Sequence, residues 1–522
     1  MTTTRTYVTA DETTIYELAK KAAPVPTTEL AARPTLPQKL QLDRSIKTKR
    51  NGHSQKRSHA QQRPRSDLLA LGRVRMLRAM SNYGPSDQES SPPSGYAPRE
   101  RASKPRRTSA TSGTIHHSNS EPRVRRGTLR IPSDAAFRMR AGHPWVFRDT
   151  LGSRPMRDAP GEIVELFEAE GEFIGRGIYD PEGPIAVRIV TRDPNEPVDA
   201  QAILRRIRAA QQLRAALLPG EGTELTAYRV LHGEGDFLPG VTVDRYGDYL
   251  VIHLFSSSLE PFLPAICDGL EAVHKPQAIY VQKRYRPLGG EGPREPAELI
   301  RGTLAPVEIV VKEYGLQIGV DVTAPLGTGL FPDLRLGRRA VTALAKGRRV
   351  MNLFSYTGAL SLAAALGGAT EVVSVDLAPK SHARGRRNLQ LSQMSESLHE
   401  FITGDALAVM ARMADRQRRF DMIILDPPAF AQNRGQTFSV QRDYRELVQA
   451  ALPLCNSGAL LCCASNAARF TQEEMMIEIG NGSGRARRHM RIVEQLGLPA
   501  DFPVPVGFPD GNYLKFLIGA VL

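Results

Sequence analysis

Between Val350 and Asn466 the chain reads VMNLFSYTG, VVSVD, ITGDAL, DMIILDPPAF and GALLCCASN, each an apolar run closed by small, polar or acidic residues. The stretches between these runs have helical spacing. Apolar runs of strand length that alternate with amphipathic stretches specify an α/β fold, a parallel sheet flanked by helices. Ligands of such open sheets bind beyond the carboxyl ends of the strands. Asn352, Tyr356, Gly358, Asp376, Asp405 and Asp426 all fall there.

At 522 residues the chain exceeds a single core, so two or three domains plus tails are expected. No apolar stretch reaches the roughly 18–20 residues that a membrane helix needs. The N-terminus has no apolar segment behind basic residues, so no secretory signal is expected. Four cysteines, Cys267, Cys455, Cys462 and Cys463, form no disulfide framework and no metal-ligand spacing. A reducing cytoplasm fits that usage, and no metal is expected.

The net charge of +14 is unevenly placed. Residues 1–126 hold 24 Lys/Arg against 10 Asp/Glu, and the remainder holds 45 of each. The tail is rich in Ser, Pro, Thr and Arg, with little apolar periodicity beyond a short helical pattern at 67–80. Such a composition cannot bury a core and is expected to be a disordered basic tail. It is a nonspecific RNA-binding arm, a solvated tail, or an upstream extension with the true start at Met76 or Met80.

From Gly127 the texture changes to short strands separated by Gly, Pro and Asp turns, a small β-barrel-like domain over 127–198. A helical stretch at 200–218 opens a central α+β domain, 199–305. Within it FLPGVTVDRYGDYLVIHLF reads as a hairpin turning at Arg245-Tyr246-Gly247-Asp248, and 278–286 as a strand. The parallel-sheet domain occupies 306–522.

Asp376 ends the second strand, 18 residues after Gly358. A carboxylate about 20 residues beyond a glycine turn suits the ribose hydroxyls of an adenosine. Asp405, at the next strand end, suits an adenine amino group. Gly358 lets the backbone of Phe354-Ser355-Tyr356-Thr357 approach a ligand at the helix start. A nicotinamide cofactor would call for G-x-G-x-x-G, and this turn reads F-S-Y-T-G-A. A nucleoside cofactor without pyrophosphate, S-adenosylmethionine, fits better.

NLFSYTG, SVDLAPKSHARGRRNLQL and LDPPAF resemble class I methyltransferases acting on ribosomal RNA, and most closely the RlmI-like 23S rRNA methyltransferases. RAGHPWVF is similar to the opening of that family's PUA-type RNA-binding domain. FLPGVTVDRYGDYLV resembles its central hairpin domain, TGLFPDLR (328–335) its segment before the first strand, and GNYLKF (511–516) its last strand. The resemblance covers residues from about 127 to the C-terminus. It implies a Rossmann-like methyltransferase domain behind a PUA-like domain, with 23S-type ribosomal RNA as partner.

It also implies a base-modifying site at Asp426-Pro427-Pro428-Ala429-Phe430. The carboxylate and the prolyl-turn carbonyls accept N–H bonds from a base, and the aromatic ring stacks on it. Two target atoms stay open. Cytosine C5 needs a thiolate adding at C6, and Ser465 stands where the cytosine-5 relatives carry that cysteine. Cys463 and Cys462 read as packed core thiols. Ser465-Asn466-Ala467-Ala468-Arg469-Phe470 and Phe438-Ser439-Val440-Gln441-Arg442-Asp443 resemble instead the guanine-N7 methyltransferase domain of 23S rRNA, where no covalent adduct is needed. Beside the rRNA enzyme stand an RNA-binding protein that has lost turnover and a methyltransferase of non-RNA substrates.

Overall fold

The computed structural model describes residues 127–152, 159–285, 295–325, 327–433 and 436–522. The expected basic tail and the helical pattern at 67–80 lie outside them. Among the described residues no helix is long and apolar enough to cross a membrane.

The first sheet comprises β1 (Gly127–Ile131), β2 (Trp145–Phe147), β3 (Ile163–Glu168), β4 (Phe173–Tyr179) and β5 (Ile185–Thr191), in the order β1-β3-β4-β5-β2. Helix α1 (Ser133–Arg140) follows Pro132 and buries Ala135, Ala136 and Met139 against it. The short α2 (Arg148–Leu151) follows β2. Clean in–out alternation fails here, because every residue of β5 is buried, Arg188 included. The cause is tertiary. Ile163, Ile178 and Val190 on the far face join the core of the next domain. Arg188 pairs with Asp180 at 3.1 Å, and Asp180 accepts from Ser256 Oγ at 2.6 Å.

Helix α3 (Ala200–Leu217) starts at Asp199, whose side chain accepts the Ala202 N–H at 2.8 Å. Then come β6 (Ala227–His232), β7 (Val241–Tyr246), β8 (Tyr249–Leu254), α4 (Leu263–His274), β9 (Ala278–Lys283) and β10 (Glu298–Gly302). They form a sheet ordered β10-β9-β8-β7-β6. β7 and β8 pair antiparallel around Gly247, whose φ of 62° is the left-handed conformation that a two-residue turn demands. α3 and α4 cover one face through Ile203, Ile207, Ile266 and Leu270. The other face, including Tyr246, Val251 and Tyr280, shares one apolar core with the C-terminal domain.

The C-terminal domain opens with a hairpin, β11 (Ile309–Glu313) and β12 (Leu316–Val320), and α5 (Arg335–Leu344). Its strands are β13 (Arg349–Leu353), β14 (Glu371–Asp376), β15 (His399–Thr403), β16 (Phe420–Leu425), β19 (Cys455–Ser465), β20 (Met490–Leu496) and β21 (Lys515–Val521), ordered β15-β14-β13-β16-β19-β21-β20. A separate hairpin, β17 (Phe430–Asn433) with β18 (Gln436–Ser439), rises after β16. Helices α6 (Ala359–Leu366), α7 (Pro379–Leu391), α8 (Ala406–Asp415), α9 (Val440–Ala451) and α10 (Gln472–Arg485) complete it. β15, β14, β13, β16 and β19 pair parallel, and β21 is antiparallel to its neighbours. Each inner strand is buried on both faces. Val350, Ile424 and Cys462 point to one core, and Met351, Ile423 and Cys463 to the other. That double burial is why the runs are continuously apolar.

A buried polar joint ties the central sheet to this domain. Arg214 grips Asp236 through two 2.7 Å bonds and donates to the Asp501 carbonyl at 2.7 Å. The Asp501 carboxylate pairs with Arg335 and accepts the Arg229 N–H at 2.9 Å.

Candidate active site

Sheet register brings the expected residues to one edge. Leu353 of β13 pairs with Val375 of β14 and with Leu425 of β16, so Phe354, Asp376 and Asp426 stand at one level at the end of the sheet. Leu425 also pairs with Cys463, which sets Ser465 just beyond Asp426 on β19. Strand order reverses between β13 and β16. A crevice opens at such a switch point.

On the β13–β14 side the turn is strained. Phe354 and Tyr356 hold φ of 62° and 48°, and Gly358, at 79°, caps α6. Left-handed bulky residues are costly and concentrate at functional turns. Asp376 helps to hold this one: its Oδ2 accepts the Tyr356 N–H at 2.8 Å and its Oδ1 the Ala378 N–H at 2.9 Å. Both oxygens keep acceptor capacity on a half-buried carboxylate. The Thr357 hydroxyl is spent on the Gly329 carbonyl at 2.6 Å. Ser355 Oγ is buried with no hydrogen-bond partner.

Two expected residues occupy less direct positions. Asn352 is fully buried, and its amide donates to Ser361 Oγ at 2.9 Å, which ties β13 to α6. Its Oδ1 has no partner. Asp405 is exposed and caps α8 through Ala408 N–H at 3.0 Å.

On the β16–β19 side Asp426 is half-buried, and burial pushes its carboxyl up to about 7. The Asp333 carboxylate adds to that shift and Arg338 opposes it. Pro427 is buried, while Pro428 is exposed and Phe430 is 39% exposed at the base of the β17–β18 hairpin. Phe354 and Phe438 pack with ring centres 6.3 Å apart, and Phe331 with Tyr356 at 5.4 Å. Ser465 is buried and accepts the Ala467 N–H at 3.3 Å, whereas Asn466 is exposed. Cys463 lies beneath in the core, its thiol pushed up to about 12 by burial, and Cys462 faces the opposite core.

Sequence reasoning missed three groups that the fold delivers here. Asp333, within the TGLFPDLR segment, accepts the Tyr513 hydroxyl at 2.9 Å. Lys515 stands opposite Ser465 in the β19–β21 ladder. The hairpin after Asp-Pro-Pro was not anticipated. The only sequence signal of Asp333 and Lys515 was an acid and a lysine inside the TGLFPDLR and GNYLKF motifs.

Comparison with known proteins decides the family. The profile of an S-adenosylmethionine-dependent methyltransferase family matches residues 229–512, more than half of the chain. The chain belongs to the S-adenosylmethionine-dependent methyltransferases. Residues 129–192 of this methyltransferase match a PUA-like domain. Ribosomal RNA large subunit methyltransferase I of Shigella boydii serotype 18 is 33% identical over 373 residues, 72% of this chain and 94% of that protein. The same-named protein of Escherichia coli O139:H28 matches equally well, at 33% over 373 residues. A proposed methyltransferase solved in complex with SAH aligns with a TM-score of 0.69 and 25% identity, over 76% of this chain and all of that one. Another, from Streptococcus mutans, aligns with a TM-score of 0.67.

The residues present fit S-adenosylmethionine. The half-buried Asp376 carboxylate, the unpartnered Ser355 hydroxyl and two aromatic pairs border the turn, and no glycine triplet is built for a pyrophosphate. Among the described residues no group of three or more His, Cys, Asp or Glu could hold a metal ion.

Proposed function

We propose that this methyltransferase modifies a base of large-subunit, 23S-type ribosomal RNA in the cytoplasm, without a covalent bond between enzyme and base. The observation that carries the reading is Asp426-Pro427-Pro428 at the switch point, level with Asp376, with no ionisable thiol beside it. All four cysteines are buried. A PUA-like domain at 129–192 and relatives named for large-subunit ribosomal RNA support RNA as the substrate. The division into 127–198 for RNA binding, 199–305 as a central wall and 306–522 for catalysis belongs to the same proposal.

In this reading Asp376 holds the ribose of the cofactor and the 354–358 turn its amino-acid portion. Asp405 faces the adenine, and Asn352 keeps the turn in place from below. When bound, S-adenosylmethionine supplies the methyl group as an electrophilic sulfonium. Asp426 and the Pro427 carbonyl accept N–H bonds from the flipped base, Phe430 stacks on it, and Ser465 and Asn466 border its far side. A ring nitrogen such as guanine N7 brings its own lone pair, so positioning supplies most of the rate. Mass spectrometry of rRNA nucleosides from a deletion strain, with and without the purified enzyme added back, tests the reading. A missing methylated base that the enzyme restores is expected, and unchanged rRNA would overturn it.

Asp376→Ala should weaken S-adenosylmethionine binding by about 1.5–3 kcal/mol, the range for losing a hydrogen bond to a charged group. Calorimetry showing unchanged affinity would remove Asp376 from the site.

Cys463→Ser should keep turnover within about tenfold, since a thiol at about 12 is almost never a thiolate at pH 7. RNA carrying 5-fluorocytosine should leave no trapped protein. A trapped adduct would restore the cytosine-C5 mechanism.

A further inference from the structure

Lys515 begins β21 and is the cross-strand partner of Ser465. It is only 4% exposed, and its Nζ donates to the Ala467 carbonyl at 2.7 Å and to the Tyr513 carbonyl at 2.8 Å. Among the described residues its hydrogen bonds go to backbone carbonyls and none to a carboxylate. Burying an ammonium on neutral acceptors alone is expensive. Burial holds its pKa down to about 8, and the Glu474 carboxylate only partly offsets that.

One of the two carbonyls, Ala467, is 48 residues from Lys515 in the chain, and the other, Tyr513, is its near neighbour. Ala467 follows Asn466 in the turn that leaves β19, while Tyr513 bonds Asp333 through its hydroxyl at 2.9 Å. Asp333 in turn acts on Asp426. The buried cation therefore ties the loop that exposes Asn466 to the start of β21, where the neighbouring Tyr513 hydroxyl bonds Asp333. We propose that Lys515 is a positioning residue for methyl transfer, clamping the Ser465–Ala467 turn so that Asn466 meets the base opposite Asp426. The inference rests on the base-methylating reading above.

The full-length protein with Lys515→Met, Asn466→Ala and the pair together tests it. Lys515→Met keeps the length and apolar stem of the side chain while removing the charge and its donors. Its kcat on RNA is expected to fall at least tenfold, with cofactor affinity within twofold, and Lys515→Arg to recover part of the loss. If Lys515 works through Asn466, the double variant should be no slower than the slower single. Multiplying losses, or a kcat within twofold of wild type for Lys515→Met, would overturn the clamp. Should Lys515→Met prove too unstable to assay, Lys515→Gln takes its place, and amide exchange across 466–470 becomes the readout. Faster exchange there is expected, and unchanged exchange overturns the inference. An inactive wild-type protein would count against the rRNA reading alone, because the exchange measurement still judges the clamp.

Discussion

Asp426→Asn should remove methyl transfer by about 100-fold or more while raising the melting temperature at pH 8. The two effects share one cause. The folded-state pKa of Asp426, about 7, lies above the roughly 3.9 of an unfolded aspartate, so the folded protein favours the neutral acid. Its contribution to stability is therefore full below pH 4 and is lost as pH rises toward 7. A shift of three units sets a ceiling of about 4 kcal/mol, and water at the crevice mouth reduces this to about 1–3 kcal/mol. Asparagine carries no such penalty, so the gain at pH 8 should vanish near pH 4. Activity moves the other way. Only the ionised carboxylate is acceptor-only on both oxygens, and wild-type kcat should rise with pH through about 7. Thermal melts and single-turnover rates from pH 5 to 9 check both limbs. A variant less stable than wild type at pH 8 would mean that Asp426 is held ionised by an unseen partner.

Asp501→Ala should cost about 3–5 kcal/mol, the loss expected when one partner of a buried ion pair is removed. Arg335 and Asp501 are 3% and 0% exposed, so no water is positioned to replace the carboxylate. The Arg229 N–H loses its acceptor as well. Because Arg214 and Arg229 belong to the central domain and Arg335 to the catalytic one, that joint should loosen first. Limited proteolysis between them and a lowered melting temperature are the expected signs. A change below about 1 kcal/mol would show that the carboxylate is not what holds the joint.

The parallel sheet and the acids that close its strands were legible because both are local. Double burial makes each inner strand a continuous apolar run closed by an acid, Asp376 as the last residue of β14 and Asp426 one residue past the last ladder pair of β16. The turn at Gly247 was legible for the same reason, since its conformation is encoded within four residues. The resemblance of several ordered motifs then supplied the family, which the match over residues 229–512 bears out.

What the sequence could not determine depends on groups far apart in the chain. The burial of β5 on both faces required the central domain to pack on it. The raised pKa of Asp426 comes first from its burial, and Asp333, nearly a hundred residues earlier, adds to it while held by Tyr513 just ahead of the last strand. Lys515 reads as one basic residue among many until the antiparallel β21 sets it beside Ser465. Desolvation and charge coupling depend on distance and burial, and these exist only once the chain has folded. Sequence determined the fold class and the family; tertiary packing alone raised the pKa of Asp426, because burial and the approach of Asp333 exist only in the folded chain.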